Sequence, residues 1–491
     1  MQETKTVFRV PPGQRQLFLD DHGVARIAHL SGTMHQPEKK GAVIRPDPPL
    51  EVALQTRCAP AWDPDEGVFG LWLSTSTSVP GRVTYAASED GLHWTKRFLR
   101  PEAIAEWKRN PTQIAEPGAD WATDSICHVL HDPDDPDPAR RYKGLGHRGA
   151  LEPMISPDGI HWQRLDVPKI PSSDESNLSY DSAARTYIAT VKQGGSHGRC
   201  VFLSTSEDFE HWTDPELIFH ADDLDQVLGR ERIEARFADS TLKAPEYDIP
   251  DRYNVDVYNM GAFRYEGFYI GLPSMFYQSG RVPKDWAGFD DMGLSPEILD
   301  AVRQYGDWTG FHHVQLACSR DLHHWERVGD RQPFIDASAV SSGAYDLQCI
   351  IGPSFPVVRG NELWFYYTGI RNYAYVSSNQ GDNGAICLAV LRRDGFVSLD
   401  AGAKEGVLLT QPFTLNGGSL YVNVDAPKGA LRVEVLGEGG EIVAASSPVQ
   451  GDQPQGEVRF EHGNLDLLQG QQVCLRFLAR HARFYSYWLE R

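Results

Sequence analysis

Short apolar or alternating runs recur along the first four-fifths of the chain, each cut by polar turn residues. The opening set is Arg57-Cys58-Ala59-Pro60-Ala61-Trp62, then Val68-Phe69-Gly70-Leu71-Trp72-Leu73, then Val83-Thr84-Tyr85-Ala86-Ala87. A period of two and lengths of five or six residues predict strands rather than helices. The third run leads into Ser88-Glu89-Asp90-Gly91-Leu92-His93-Trp94. That pattern returns as Ser156-Pro157-Asp158-Gly159-Ile160-His161-Trp162, Ser206-Glu207-Asp208-Phe209-Glu210-His211-Trp212 and Ser319-Arg320-Asp321-Leu322-His323-His324-Trp325, with a weakened fifth copy at Arg392-Arg393-Asp394-Gly395-Phe396. Asp-Gly between strand patterns marks a hairpin, because the turn needs residues that tolerate positive φ. The Asp is expected to make each turn, and the Trp to open the next strand and fill the gap between neighbouring sheets.

Two strand-like runs precede every copy, so each unit reads as four antiparallel strands, and there are five units. Radial repetition of four-stranded sheets hides their edges, and the predicted fold is an all-β, five-bladed β-propeller over residues 1–400. Gln16-Leu17-Phe18-Leu19-Asp20 is the candidate ring-closing strand. The surplus before Trp325 holds Ser295 and Pro296 ahead of an apolar-periodic stretch, which predicts a capped helix. After Asp400 the texture becomes alternating strands around Leu420–Val424, Leu431–Leu436, Val458–Phe460 and Val473–Phe477, which predicts a β-sandwich over 401–491.

Composition narrows the partners. The formal charge of −20 argues against nucleic acid or an anionic membrane, both of which need clustered Lys and Arg. No apolar run is long enough to span a bilayer. Seven scattered Cys without a close CxxC pair fit reduced, buried thiols, and with no secretory signal at Met1–Lys5 a cytoplasmic location is expected. Asp132-Pro133-Asp134-Asp135-Pro136-Asp137-Pro138 lacks the Gly and terminal Glu of a calcium loop and is expected to be solvated. No metal or other cofactor is implied, and oligomeric state is not legible.

The five SxDGxxW-type units with a terminal sandwich resemble the propeller glycoside hydrolases of families 32 and 43. The resemblance is strongest to a bacterial branch with the runs Leu17-Phe18-Leu19-Asp20-Asp21, Tyr258-Asn259-Met260 through Tyr269-Ile270-Gly271, and Gly360-Asn361-Glu362 through Gly369. It implies a central funnel where three carboxylates from the first blades act as base or nucleophile, transition-state partner and acid. Glu175 stands where the acid would be and Asp124 matches the assisting Asp. The first unit departs, opening with Gln55-Thr56-Arg57, so Asp47, Glu51, Asp20 or Asp21 would have to reach in as base.

Asp256 and Asp346 open the fourth and fifth units at equivalent places. Glycosidic cleavage needs one protonated and one ionised carboxyl, and crowding acids around one opening splits their pKa values. The candidate catalytic residues are therefore Asp124, Glu175, Asp256 and Asp346. Arg57, His313, Tyr258 and Asn259 are the candidate substrate contacts. Arg57, Arg236 and Arg252 could orient a uronate or phosphate, ordinary ion pairs being the plainer reading. The expected activity is a hydrolase removing a terminal sugar from a carbohydrate or glycoside. Its rivals are a glycoside phosphorylase on the same fold and a non-catalytic glycan-binding propeller.

Overall fold

A computed structural model describes residues 8–47, 51–76, 83–98, 126–146, 149–378 and 381–490. The chain is built mainly from antiparallel strands with few helices. Outside the C-terminal sheet the strands pair in successive groups, of which the first and the last are parts of one 10-stranded sheet joined by the parallel bridge Gly384–Ala53. The first orders Ala53–Gln55, Val68–Ser76, Val83–Ser88 and Thr95–Phe98; the second Ile126–His131, Tyr142–Gly146, Ala150–Ser156 and Gln163–Arg164; the third Ser176–Asp181, Thr186–Gly195, Gly198–Ser206 and Glu216–Phe219. The fourth runs Asn254–Tyr265, Phe268–Val282, Leu316–Ser319 and Glu326–Val328, and Asp307–Val314 also pairs with its long second strand. The fifth holds Cys349–Ile351, Glu362–Ile370 and Gly384–Arg392, and its remaining strand is Glu38–Ile44. The strand that joins this last sheet thus comes from the N-terminal part of the chain.

Gln16–Leu17, expected in that role, instead pairs with Ala482–Glu490. Val24–Ala28 pairs with Gly406–Thr410 and Leu30–Met34 with Val397–Ala401. The N-terminal strands up to Met34 thus belong to the C-terminal sheet, although the sequence grouped them with the repeats. Short polar strands like Leu30–Met34 have too little apolar surface to stand alone and find stability as added edges. At the centre of that 12-stranded sheet lies the 18-residue strand Ser419–Leu436, bordered by Val449–Glu457, Gln472–Arg480 and Ala482–Glu490. Its inward side chains (Leu420, Val422, Val424, Leu431, Val433, Val435) share a core with Phe8 and Val10.

The repeated turns show why the sheets follow in this order. In each of the four full copies the Ser hydroxyl accepts from the backbone N–H three residues on, at 2.8–3.0 Å. Each Asp carboxylate caps two further N–H groups and lies 2.7 Å from the His Nδ1 three residues later. The Trp indole N–H donates back into its own turn, so it closes the turn as well as packing. The position after the Asp takes φ of 67–73° in all four, as Gly91, Gly159, Phe209 and Leu322.

Every turn then docks on the preceding sheet. Tyr366 of the fifth sheet donates to Gly91 O (2.8 Å), Trp72 of the first to Gly159 O (2.7 Å), and Arg140 of the second to Asp208 O (2.9 Å). Glu216 of the third meets His323 at 3.5 Å, and Tyr265 of the fourth donates to Asp394 at 2.7 Å. The order of contacts is cyclic.

Two helices fill the long segment between the third and fourth turns. Pro296–Tyr305 is the capped helix the sequence predicts, with the Ser295 hydroxyl accepting from Ile298 N–H. Asp223–Ala238, closed at its start by a reciprocal Asp222/Asp225 capping box, carries no comparable sequence signal in its low apolar content. The acidic run at 132–137 is more than a solvated loop: Asp132 (3.2 Å) and Asp135 (2.6 Å) neutralise Lys143, a fully buried lysine. Among the described residues no helix is long and apolar enough to cross a membrane.

Candidate active site

The first strands of the sheets bring their openings together, and the charged residues gathered there come from segments far apart in sequence. Arg57 follows the first strand of the first sheet and Glu175 precedes that of the third. Their side chains form a two-pronged pair, Nε to Oε2 at 2.6 Å and Nη2 to Oε1 at 2.5 Å, with both buried. Fork geometry of this kind combines charge with direction. Gln55 accepts from the remaining arm of Arg57 at 2.7 Å, and Tyr258 Oη of the fourth sheet lies 3.4 Å from Glu175. His128 of the second sheet lies 2.7 Å from Ser176 Oγ. Gln55, Arg57, Trp72, His128, Asp174 and Glu175 border a narrow open cleft.

Beside this pair lies a second charged group. Lys192 is held by Asp174 at 2.8 Å with its ammonium 4.2 Å above the Tyr258 ring. Burial pulls the Lys192 pKa below its ordinary value, against the opposing attraction of Glu175 and Asp174. Arg199 reaches Asp256 at 3.3 Å and lies over both Tyr258 and Phe276. Asp256 also accepts from Gln278 Nε2 at 3.0 Å. Burial lifts the Asp256 carboxyl above the usual carboxylate range, although Arg199 and Lys192 pull the other way. His312 completes the wall, packed among Tyr258, Phe276 and Tyr373, with Nδ1 3.0 Å from the Cys349 sulfur.

The sequence candidates fare unevenly. Glu175, Arg57, Tyr258 and Asp256 meet in this cluster, while Asp124 lies outside the described residues. Asp346 does not join them: its carboxylate takes Lys39 (2.9 Å) and Tyr367 (2.8 Å) beside Cys387, deep in the packing of the fifth sheet. Asn259 is buried against Asn177 (2.9 Å) and Gly352 O (3.1 Å), bonding one inner strand to the next. His313 points the other way from His312, toward the helix Asp223–Ala238, 2.8 Å from Tyr277 Oη. Successive strand residues face opposite sides, so a one-residue choice decided that assignment.

None of the loop acids proposed as base takes part. Asp47 and Glu51 pair with Lys96, and Asp20 with Arg320. Arg236 and Arg252 donate to backbone carbonyls, Arg236 to Lys243 O and Leu347 O, and Arg252 to Arg281 O. The residues that sequence reasoning missed are Lys192, Arg199, Cys349 and His312. Of these, only His312 carried a visible signal, as the sequence neighbour of the candidate His313.

No protein-family model matches the sequence, and no curated protein matches it either. Among solved structures, the chain is similar to an N-acetylgalactosamine deacetylase from F. plautii, at 13% identity over 75% of this chain and 97% of that one, TM-score 0.39. It is also similar to an exo-beta-1,3-galactanase from Phanerochaete chrysosporium, at 11% identity over 91% and 99%, TM-score 0.37. A GH32 beta-fructofuranosidase from Bombyx mori shares 8% identity over 92% and 94%, TM-score 0.38. Similarity of this size assigns no activity to this chain.

Proposed function

We propose that the chain is a carbohydrate-active hydrolase that removes a terminal sugar, built on a five-bladed β-propeller whose central opening is the Arg57–Glu175–Asp256 cluster. The single observation that carries this reading is the placing of two acids, 81 positions apart in the sequence, in opposite electrostatic settings around Tyr258. Glu175, locked in a guanidinium fork, is the ionised member. Asp256, desolvated and lifted, is the proton donor. That division of labour is what glycoside cleavage requires: one carboxyl protonates the leaving oxygen while the other supports positive charge at the anomeric carbon or activates water. Tyr258, between Glu175 and the two cations, would orient the sugar.

The test is turnover of a panel of aryl glycosides by the full chain, with Asp256→Asn and Glu175→Gln beside it and folding followed by circular dichroism. Hydrolysis by the parent and loss of about a thousandfold or more in Asp256→Asn supports the assignment. Parent-like rates in both variants overturn it. Saturable sugar binding with no turnover would make the chain a glycan-binding module instead.

A further inference from the structure

Beside the two acids stands a histidine that the proposed chemistry does not use. His312 is fully buried, and its Nε2 finds no hydrogen-bond partner among the described residues. Its other nitrogen faces the Cys349 sulfur at 3.0 Å. Burial keeps that thiol protonated and the imidazole neutral, so one ring nitrogen is a donor and the other an acceptor. A buried ring nitrogen without a partner is costly, and a polar group of a ligand would recover that cost.

Around the same aromatic wall stand two cations. Lys192 sits over Tyr258, and Arg199 sits 5.6 Å from the Tyr258 ring and 5.3 Å from that of Phe276. Arg199 is also the member that reaches solvent, its side chain 28% exposed. Its one side-chain hydrogen bond among the described residues is the long 3.3 Å contact of Nη1 with Asp256, which leaves Nε and Nη2 to take another acceptor. The cluster as a whole sets Arg57, Lys192 and Arg199 against Asp174, Glu175 and Asp256.

We propose that Arg199, Lys192 and His312 form an oxyanion subsite against Tyr258 and Phe276, so that the ligand bound beside this cluster carries a carboxylate or phosphate group. Resting on the carbohydrate reading above, this narrows the ligand to a uronic acid residue or to a sugar met together with inorganic phosphate. A planar guanidinium suits either anion, and the ammonium supplies charge without a fixed direction. The buried imidazole adds a neutral polar contact.

Isothermal titration of the full chain with inorganic phosphate, with D-glucuronate and with D-glucose separates the cases. Saturable binding of phosphate or glucuronate, weakened at least about tenfold by Arg199→Gln, supports the subsite and names which anion it takes. His312→Gln should weaken it as well, and Arg432→Gln in the C-terminal sheet should not. No saturable binding of either anion overturns the proposal, as does equal binding by parent and Arg199→Gln. Should His312→Gln fail to fold, Arg199→Gln still decides, since its side chain lies partly in solvent. Anion binding without turnover of any glycoside would remove the hydrolase and keep the subsite; turnover of neutral glycosides without anion binding would do the reverse.

Discussion

Among the described residues two arginine–carboxylate pairs have both partners buried, and their surroundings differ. Arg15 meets Asp394 at 2.6 Å with almost no exposure on either side, as Arg57 meets Glu175. Asp394 belongs to the fifth, weakened copy of the turn. It also takes Tyr265 of the fourth sheet (2.7 Å), and Ser486 (2.6 Å) and Asn423 (3.2 Å) of the C-terminal sheet. The four full copies leave their Asp at the surface with a His; the fifth has lost the Ser, His and Trp and put its Asp at the joint between the repeats and the C-terminal strands. Every direction around that carboxylate is occupied by protein. Glu175 borders a cleft instead, and its neighbour Tyr258 carries Lys192 and Arg199 over its ring, with Asp256 paired to Arg199. Burial and pairing alone therefore say little about function; what sets Glu175 apart is the void beside it.

The sharpest way to break this comparison is to neutralise one acid of each kind. Asp256→Asn should cost about a thousandfold or more in turnover with little loss of folded protein, measured by initial rates and thermal melting. Asp394→Ala should do the opposite, destabilising by about 3–5 kcal/mol because Arg15 is left buried and unpaired, while activity per folded molecule is retained. Denaturant titration reads the first quantity and active-fraction assays the second.

A smaller effect concerns pH. The Asp256 pKa is raised on folding, so its contribution to stability is complete below the unfolded value near 3.8 and is lost as pH rises through the folded value. In the proposed mechanism the same protonated form is the proton donor. Activity should therefore fall on the alkaline side, above the ordinary carboxylate range, and Asp256→Asn should remove the matching slope from a plot of stability against pH. Smallest of all, Asp90→Ala on an exposed turn should cost about 1 kcal/mol, the scale of a lost side-chain cap, and leave turnover alone. An Asp90 effect as large as that of Asp394 would erase the distinction between surface and joint.

Much of the repeat pattern is legible in the sequence because its turns are local. Ser, Asp, His and Trp at fixed offsets bond to one another and to backbone within seven residues, so the motif states its own geometry. Glu175 was legible for a related reason, as its position is fixed by the unit that follows it. Lys192 and Arg199 were not, since a lysine in mid-strand and an arginine after a tight hairpin look like ordinary solvent-facing charges until other sheets close over them. His312 and His313 show the limit of pattern reading at its finest: the strand is evident, but which of two neighbours faces inward depends on register against Phe268–Val282. Asp346 looked equivalent to Asp256 by unit position, and the lysine that claims it, Lys39, comes from a strand 307 residues away.

That lysine belongs to Glu38–Ile44, which zips onto Gly384–Arg392 in the last sheet. A polypeptide emerging from the ribosome must therefore carry one strand without its neighbour until more than three hundred further residues have been made. Closure is a late event by construction, and loops of this span slow the search for native pairing. Severing the backbone between Met34 and Glu38 would free this clasp from the edge strands before it, and so tell whether the hoop is held shut by its own seam or by the C-terminal sheet that grips the preceding segment.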